Sequence, residues 1–288
     1  MRRLKADQYN RAMFTDTQVA FIGGGNMTEA LVRGLLRQRL FAPGQLAVSD
    51  PLPGRREWLA TQYGVMTGAD NRAAVQGAGT IVLSVEPQVL DSVLEELRLV
   101  IAANPLLLSV AAGYPLSRIT QHAGTVSRVV RAMPNTPSMI GEGVTALTFA
   151  ADLSPEDRAR ASRIFEAVGS VVVVEERLMD AVTGLSGSGP AYVYAMIEAL
   201  ADGGVQVGLP RATAQTLAAH TLAGAARMVL DSGEHPAVLK DRVASPGGTT
   251  IAGLRSLEEG RLRATLMSAV EAAVRRSHEL GQSASQDL

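Results

Sequence analysis

The stretch that decides the fold is Val19-Ala-Phe-Ile22 followed by Gly23-Gly24-Gly25-Asn26-Met27-Thr28. The four apolar residues predict a short buried strand, and the apolar spacing from Met27 to Gln38 predicts a helix after the glycines. A glycine turn between a strand and a helix can bind the pyrophosphate of a dinucleotide. Gly23 allows the tight turn, and Gly25 lets the backbone approach the phosphates at the helix N-terminus.

Further short apolar runs alternate with helical segments through the first half of the chain. The predicted strands after the first span 46–49, 80–83, 106–110, 126–132, 144–149 and 171–174, and the predicted helices span 55–63, 89–101 and 155–168. Fully apolar strands that alternate with helices indicate a parallel sheet covered on both faces, which is a doubly wound α/β fold. We therefore predict a Rossmann-type dinucleotide-binding domain over residues 19–175. The polar residues 1–18 are predicted to form a disordered tail.

The pattern changes after about Glu176, where the strand signals stop. Helices rich in Ala and Gly are predicted over 190–207, 211–230 and 262–280. The segment 220–230 is apolar around much of its circumference, and a helix of that kind is buried. We predict an all-helical dimerisation domain over residues 176–288 that packs against a second copy of the chain. The alternative is a compact helical domain of a single chain.

Composition excludes several classes of function. The 288 residues carry a formal net charge of −1, which argues against a nucleic-acid partner. Cysteine is absent, so thiol nucleophiles and disulfides are excluded. The only lysines are Lys5 and Lys240, neither in a phosphate-binding loop, and the four histidines are scattered, so no metal site is expected. No apolar run has the ~18–20 residues that a membrane helix needs, and no secretory signal is present, so we expect a cytoplasmic protein.

The end of the second predicted strand bears on the choice of cofactor. Asp50 lies where an acid normally binds the ribose 2′-hydroxyl and repels a 2′-phosphate. Arg55 and Arg56 follow and could hold a phosphate if the loop folds back. Asp50 therefore favours NADH, and the two arginines favour NADPH. A third interpretation is that Asp50 only begins a turn and that both arginines are solvated.

Three later loops each follow a predicted strand. They are Ser84-Val85-Glu86-Pro87, Ala111-Ala112-Gly113 and Met133-Pro134-Asn135-Thr136-Pro137. Ligands of open parallel sheets bind outside the carboxyl ends of the strands. Small residues and prolines there would form a shallow, rigid bed for a nicotinamide ring.

Two segments of the helical half also stand out. Gly184-Leu-Ser-Gly-Ser-Gly-Pro190 opens a helix but lacks the glycine spacing of a serine nucleophile elbow. Ser245-Pro-Gly-Gly-Thr-Thr250 places two glycines and hydroxyl side chains at the start of another helix, where exposed N–H groups suit a carboxylate. The alternative for this second segment is a capped helix with a flexible loop.

Taken together, these residues resemble the pyrroline-5-carboxylate reductase family from about Val19 to Leu280. The most specific segments are Val85-Glu-Pro-Gln88, Arg131-Ala-Met-Pro-Asn-Thr-Pro137, Leu185-Ser-Gly-Ser-Gly-Pro-Ala-Tyr192 and Asp241-Arg-Val-Ala-Ser-Pro-Gly-Gly-Thr-Thr250. The resemblance implies hydride transfer from NADPH, or from NADH, to the C=N bond of 1-pyrroline-5-carboxylate, which gives L-proline. It favours NADPH over the NADH signal of Asp50. It also implies a homo-oligomer, either a dimer or a ring of dimers.

The resemblance also assigns site residues. The substrate carboxylate is expected at Ser245, Gly247, Gly248, Thr249 and Thr250, and Thr250 is the expected catalytic residue because it is placed to hydrogen-bond the ring nitrogen. The active site is expected where the sheet edge of one chain meets the helical domain of its partner. The expected cofactor-binding residues are Ile22, Gly23, Gly24, Gly25, Asn26, Met27, Asp50, Asn71, Ser84, Val85, Glu86, Pro87, Ala111, Ala112 and Glu176.

The chain departs from the family pattern at two positions, and from the general dinucleotide turn at a third. Glu86 stands where the family usually has Lys, Ala244 replaces a common Ser or Thr, and Thr28 replaces the usual Gly or Ala of dinucleotide turns. Glu86 is expected to alter the activity of the enzyme without abolishing it. Ala244 is expected to remove one hydroxyl beside the substrate loop, and Thr28 to make helix and strand pack slightly wider.

Two rival functions stay open on the sequence. A hydroxyacid or ketoacid dehydrogenase of the same two-domain plan typically carries a catalytic lysine on a helix of the second domain, whereas this helical half has only Lys240. A non-catalytic sensor of nicotinamide nucleotides would share the fold but would not need the 245–250 loop. An assay of imine-dependent cofactor oxidation separates the sensor from the reductase.

Overall fold

The computed structural model describes residues 17–101, 104–124, 126 and 128–286. The predicted tail over residues 1–18 falls almost wholly outside these ranges, and Gln18 is the first residue of the first strand. Contacts within the chain divide it into two compact units, and the boundary between them is not the predicted domain boundary between residues 175 and 176. The described residues up to Gly187 form one compact unit together with those from Ala273 onward, and Ser188–Ala272 form a second.

An eight-stranded sheet forms the centre of the first unit. The sheet order is β3-β2-β1-β4-β5-β6-β7-β8, so the order in which the chain adds strands reverses between β1 and β4, which are parallel neighbours. The strands are β1 (Gln18–Ile22), β2 (Leu46–Ser49), β3 (Met66–Gly68), β4 (Ala78–Leu83), β5 (Leu106–Ser109), β6 (Val129–Met133), β7 (Gly143–Phe149) and β8 (Gly169–Val173). The central strands β1, β2, β4 and β5 are almost entirely apolar and buried, as strands covered on both faces must be.

The sheet is not parallel throughout. β7 pairs with β6 in the antiparallel sense, and β8 runs parallel to β7. Only a short one-turn helix, Thr136–Ile140, lies between β6 and β7. A parallel pair needs a crossover of a dozen residues or more, so this connection is too short for the parallel pairing that the sequence predicted.

Helices cover both faces of the sheet in this unit. They are α1 (Asn26–Arg37), α2 (Pro53–Tyr63), α3 (Asn71–Val75), α4 (Pro87–Arg98), α5 (Leu116–Ala123), α6 (Pro155–Glu166) and α7 (Met179–Val182). Residues of α1, α2 and α6 join one buried apolar cluster with the sheet, and residues of α3, α4 and α5 join a second. The doubly wound Rossmann-type fold that the sequence predicted is therefore confirmed.

The second unit consists of helices throughout its described length. They are α8 (Gly189–Gln206), α9 (Arg211–Ser232), α10 (Pro236–Val243), α11 (Thr249–Glu259) and the first part of α12 (Leu262–Gln286). Its buried apolar cluster is small and centres on Ala201, Ala214 and Ala218, which lie between α8 and α9. The all-helical character predicted for the second half is confirmed, and the chain's own packing leaves much apolar surface of this unit uncovered.

Candidate cofactor and substrate sites

The glycine turn lies at the point where the strand order reverses. Gly23 follows β1, its N–H donates to the Ser49 carbonyl at 2.8 Å, and the Ser84 N–H donates to the Ile22 carbonyl at 2.8 Å. Gly23 has φ +94°, which disfavours any side chain, and a Cβ atom there would overlap the Ser84 carbonyl. Gly25 instead faces open space and immediately precedes α1, to which it offers no side-chain cap. The turn therefore leaves backbone N–H groups at a helix N-terminus for an anion.

Thr28 is built into the glycine turn by a side-chain hydrogen bond. Its side chain is fully buried, and its hydroxyl donates to the Gly23 carbonyl at 2.5 Å. The hydroxyl thus supplies a bond that the usual Gly or Ala could not. The slightly wider packing of helix on strand stays a prediction.

Asp50 reaches back to the turn and not outward. One carboxylate oxygen accepts from the Gly24 N–H and the other from the Leu52 N–H, both at 2.8 Å. Asp50 is only 9 % exposed. Asp50 therefore fastens the glycine turn through backbone donors, and each oxygen keeps a lone pair, so the predicted contact with the ribose stays a prediction.

The predicted nicotinamide loops lie side by side at the same sheet edge. Ser84 follows β4, and the Val110 N–H, one residue before Ala111, donates to the Leu83 carbonyl at 3.1 Å. Ala111 is buried and Ala112 is exposed. The glycine turn, Ser84 and Ala111 therefore form one continuous rim at the carboxyl ends of β1, β4 and β5.

Two further predicted residues lie near this rim. Glu86 is exposed and is the residue before α4, with no side-chain bond to the helix. Asn71 is the first residue of α3, and its amide donates to Glu96 at 3.0 Å. Asn71 thus already has a protein partner, and any contact with a ribose would have to share or replace it.

Glu176 is held at the same sheet edge by a buried cation. One of its carboxylate oxygens accepts from Arg131 on β6 at 2.8 Å and from the Leu116 N–H at 3.1 Å. Arg131 is buried, and the second carboxylate oxygen, also buried, has no partner within the described residues. The pair Arg131–Glu176 was not predicted from the sequence, because the residues are 45 positions apart.

A second ionic cluster connects the helices that follow the two nicotinamide loops. Asp91 on α4 accepts from the Tyr114 hydroxyl and from Arg118 on α5, and the Arg118 guanidinium lies 5.1 Å from the centre of the Tyr114 ring. The imidazole of His122 lies 3.4 Å from Asp91. Burial alone would raise the pKa of Asp91, but the bonds from Arg118 and Tyr114 leave it below its usual value. Burial, together with the bond to Asp91, raises the pKa of Tyr114.

The predicted substrate loop lies in the second unit. Gly247 has φ +65°, and the Gly248 N–H donates to the Ser245 carbonyl at 3.1 Å, which closes a turn. Gly248 precedes α11 and offers no side-chain cap, so α11 opens at Thr249 with uncapped N–H groups. The segment that was predicted to hold a carboxylate therefore has the geometry of a helix N-terminal anion site.

Among the described residues, no group of three or more His, Asp or Glu side chains could hold a metal ion. No helix in the described part of the chain is both long and apolar enough to cross a membrane.

The doubly wound sheet, with a glycine turn at its switch point and loops of small residues beside it, is the architecture of a dinucleotide-binding oxidoreductase. A family model described as NADP oxidoreductase, coenzyme F420-dependent, matches residues 18–113, and one described as pyrroline-5-carboxylate reductase dimerisation matches residues 176–280. The chain belongs to the pyrroline-5-carboxylate reductase family, since it is 49 % identical to the enzyme of that name from Synechocystis sp. over 92 % of this chain and 98 % of that protein.

Solved structures agree with this assignment. The pyrroline-5-carboxylate reductase structure from Coxiella burnetii is similar at a TM-score of 0.87 and 37 % identity, covering 92 % of this chain and 98 % of that one. The crystal structure of Plasmodium falciparum pyrroline carboxylate reductase with NADP bound is similar at a TM-score of 0.83 and 32 % identity, with the same coverage. The predicted family and fold are thus confirmed.

Proposed function

We propose that the protein reduces 1-pyrroline-5-carboxylate to L-proline with NADPH, the last step of proline biosynthesis, and that NADH is a possible substitute. The observation that carries this proposal is the presence, in one chain of this family, of a dinucleotide turn at the sheet switch point and of the 245–250 loop opening α11. The relative from Plasmodium falciparum, described with NADP bound, supports the choice of cofactor.

The residues at the switch point fit a bound dinucleotide. Gly23 allows the turn, Gly25 leaves the approach to the helix free of side chains, and the first N–H groups of α1 can meet the pyrophosphate. Ser84–Pro87 and Ala111–Ala112 form the rim on which a nicotinamide ring would rest. A reduced nicotinamide supplies a hydride, which adds two electrons and a hydrogen to the imine carbon. The protein's part is to hold the reacting carbons close and aligned.

The substrate would be held by the 245–250 loop. Its carboxylate would accept from the N–H groups of Thr249 and Thr250, which face outward from the start of α11. The Thr250 hydroxyl would then hydrogen-bond the ring nitrogen. A threonine hydroxyl is too weak an acid to protonate an imine alone at neutral pH, so it orients the nitrogen and relays a proton from water, or steadies an iminium that is already protonated.

A homo-oligomer is part of this proposal. The second unit exposes large apolar side chains along its helices, including Val207 at 81 % and Leu230 at 77 % exposure. Apolar surface of this extent marks an interaction site, and the matching family model is described as a dimerisation domain. We propose a second copy of this chain as the partner, with more than the ~2,000 Å² at which obligate interfaces begin. Whether dimers assemble further into rings, and whether the protein acts in the cytoplasm, stay predictions.

Two measurements test the proposal. Purified protein should oxidise NADPH only when 1-pyrroline-5-carboxylate is added, and the product should be L-proline. Cofactor binding without imine-dependent oxidation would contradict the enzymatic function and favour the nucleotide sensor. Light scattering should give at least a dimer, and a stable monomer at micromolar concentration would contradict the oligomer.

A further inference from the structure

The loop that follows β5, residues 110–115, is restrained toward its end by two hydrogen bonds. The buried Tyr114 donates its hydroxyl to a carboxylate of α4. The Leu116 N–H, just after the loop, donates to Glu176 at 3.1 Å. Ala112 is the one exposed residue of the loop. Neither bond holds the middle of the loop, so a contact there decides where this part of the rim lies.

The end of the C-terminal helix supplies a contact at the middle of the loop. α12 begins in the second unit, but its residues from Ala273 onward belong to the first. A Cβ atom on Gly281 of this helix would lie 3.0 Å from the Gly113 carbonyl oxygen, and one on Gly113 would lie 3.5 Å from the Gly281 nitrogen. Glycine is unfavourable inside a helix. The close approach of the two backbones gives a physical reason for a glycine at this position.

A buried hydrogen bond fixes the same face of α12. Ser277 lies one turn before Gly281, is 5 % exposed, and donates its hydroxyl to Asp180 on α7 at 2.7 Å. Asp180 follows Glu176 by four residues, and Glu176 accepts the bond from the end of the β5 loop. One short segment, 176–180, therefore fastens both the end of this loop and the end of α12.

We propose that the end of α12, through Gly281 and Ser277, positions the nicotinamide half of the cofactor by holding the β5 loop at Gly113. This inference rests on the proposed use of the rim as the bed of a nicotinamide ring. Gly281 and Ser277 are positioning residues, which act through the loop that carries Ala112. The adenosine half of a dinucleotide lies across the switch point, so a displaced β5 loop should affect the nicotinamide half alone.

Substitutions at the contact test this proposal. Gly281→Ala adds one methyl group, so the helix or the loop must move by a few tenths of an ångström. A misplacement of 1 Å can cost about 100-fold in rate, so kcat should fall about 3-fold to 10-fold, and further in Gly281→Val. Ser277→Ala frees the helix face and should lower kcat in the same direction. Alanine is a better helix former than glycine, so Gly281→Ala should not lower the midpoint of thermal unfolding, and a general structural defect would.

Binding measured by calorimetry separates the two halves of the cofactor. Adenosine 2′,5′-bisphosphate has no nicotinamide, so the Gly281 variants should bind it as the wild type does. The Kd of NADP⁺ should rise about 2-fold to 5-fold in Gly281→Ala, because part of its contact lies on the displaced loop. Arg275→Ala is the matched control. It removes a large side chain from the exposed side of the same helix and should change neither affinity nor kcat.

The proposal is overturned if Gly281→Ala and Gly281→Val both keep the wild-type kcat and NADP⁺ affinity. It is also overturned if they weaken adenosine 2′,5′-bisphosphate and NADP⁺ by equal factors. Failure of the proposed function would appear in the wild-type protein itself, as cofactor binding without imine reduction. The ratio of the two affinities needs no substrate, so it tests the positioning role in that case as well.

Discussion

Replacing Thr250 with Ala tests the proposed catalytic step at a single hydroxyl. Thr250 is the second residue of α11, and its backbone N–H belongs to the uncapped start of that helix. The substitution removes the hydroxyl and keeps the N–H groups proposed to hold the carboxylate. Alanine also has the higher helix propensity, by about 0.5 kcal/mol, so the variant should fold. We expect kcat to fall roughly 100-fold, which corresponds to about 2.7 kcal/mol of barrier.

The assay follows the loss of NADPH absorbance at saturating 1-pyrroline-5-carboxylate, with cofactor affinity measured separately. Thr250→Ser keeps the hydroxyl and should retain much of the activity. Thr249→Ala is the neighbouring control. It removes the adjacent hydroxyl but keeps the backbone N–H groups proposed to hold the carboxylate, so kcat and KM should both change little. If Thr250→Ala turned over at the wild-type rate, the loop would be a carboxylate clamp without a catalytic hydroxyl.

Three further expectations concern stability and cofactor binding. Tyr114→Phe removes the hydroxyl bond to Asp91 while keeping the buried ring, and should lower the free energy of unfolding in urea by about 1–2 kcal/mol. Gly23→Ala places a side chain at φ +94°, and should cost at least about 1–2 kcal/mol in the same assay and weaken both cofactors in a fluorescence titration. The bond from Arg128 lowers the pKa of Asp157, so this pair stabilises the fold above the unfolded pKa of about 3.9 and the effect disappears as pH falls through the lower folded value. The stability gap between wild type and Asp157→Asn, measured by urea unfolding, should therefore shrink in acid, and a gap that did not depend on pH would contradict this assignment.

The sequence by itself determined the features whose parts are neighbours along the chain. The strand, glycine turn and helix from Val19 to Gln38 are contiguous in sequence. Their apolar spacing and their glycines are together compatible with only one local structure. The same holds for the turn from Ser245 to Thr250. Elements without such signals were missed: β3 is three residues long with Met66 half exposed, and α3 spans only five residues.

Tertiary structure alone decided how distant polar side chains are used. Asp50 has the sequence position of a ribose-binding acid, but its orientation depends on the Gly24 N–H, 26 residues away. The pairing of Arg131 with Glu176 likewise has no signature in spacing. Periodicity records only which side of an element faces the core. A buried charge takes whichever partner the assembled fold brings within hydrogen-bond distance, because leaving it unpaired costs more than the bond itself contributes.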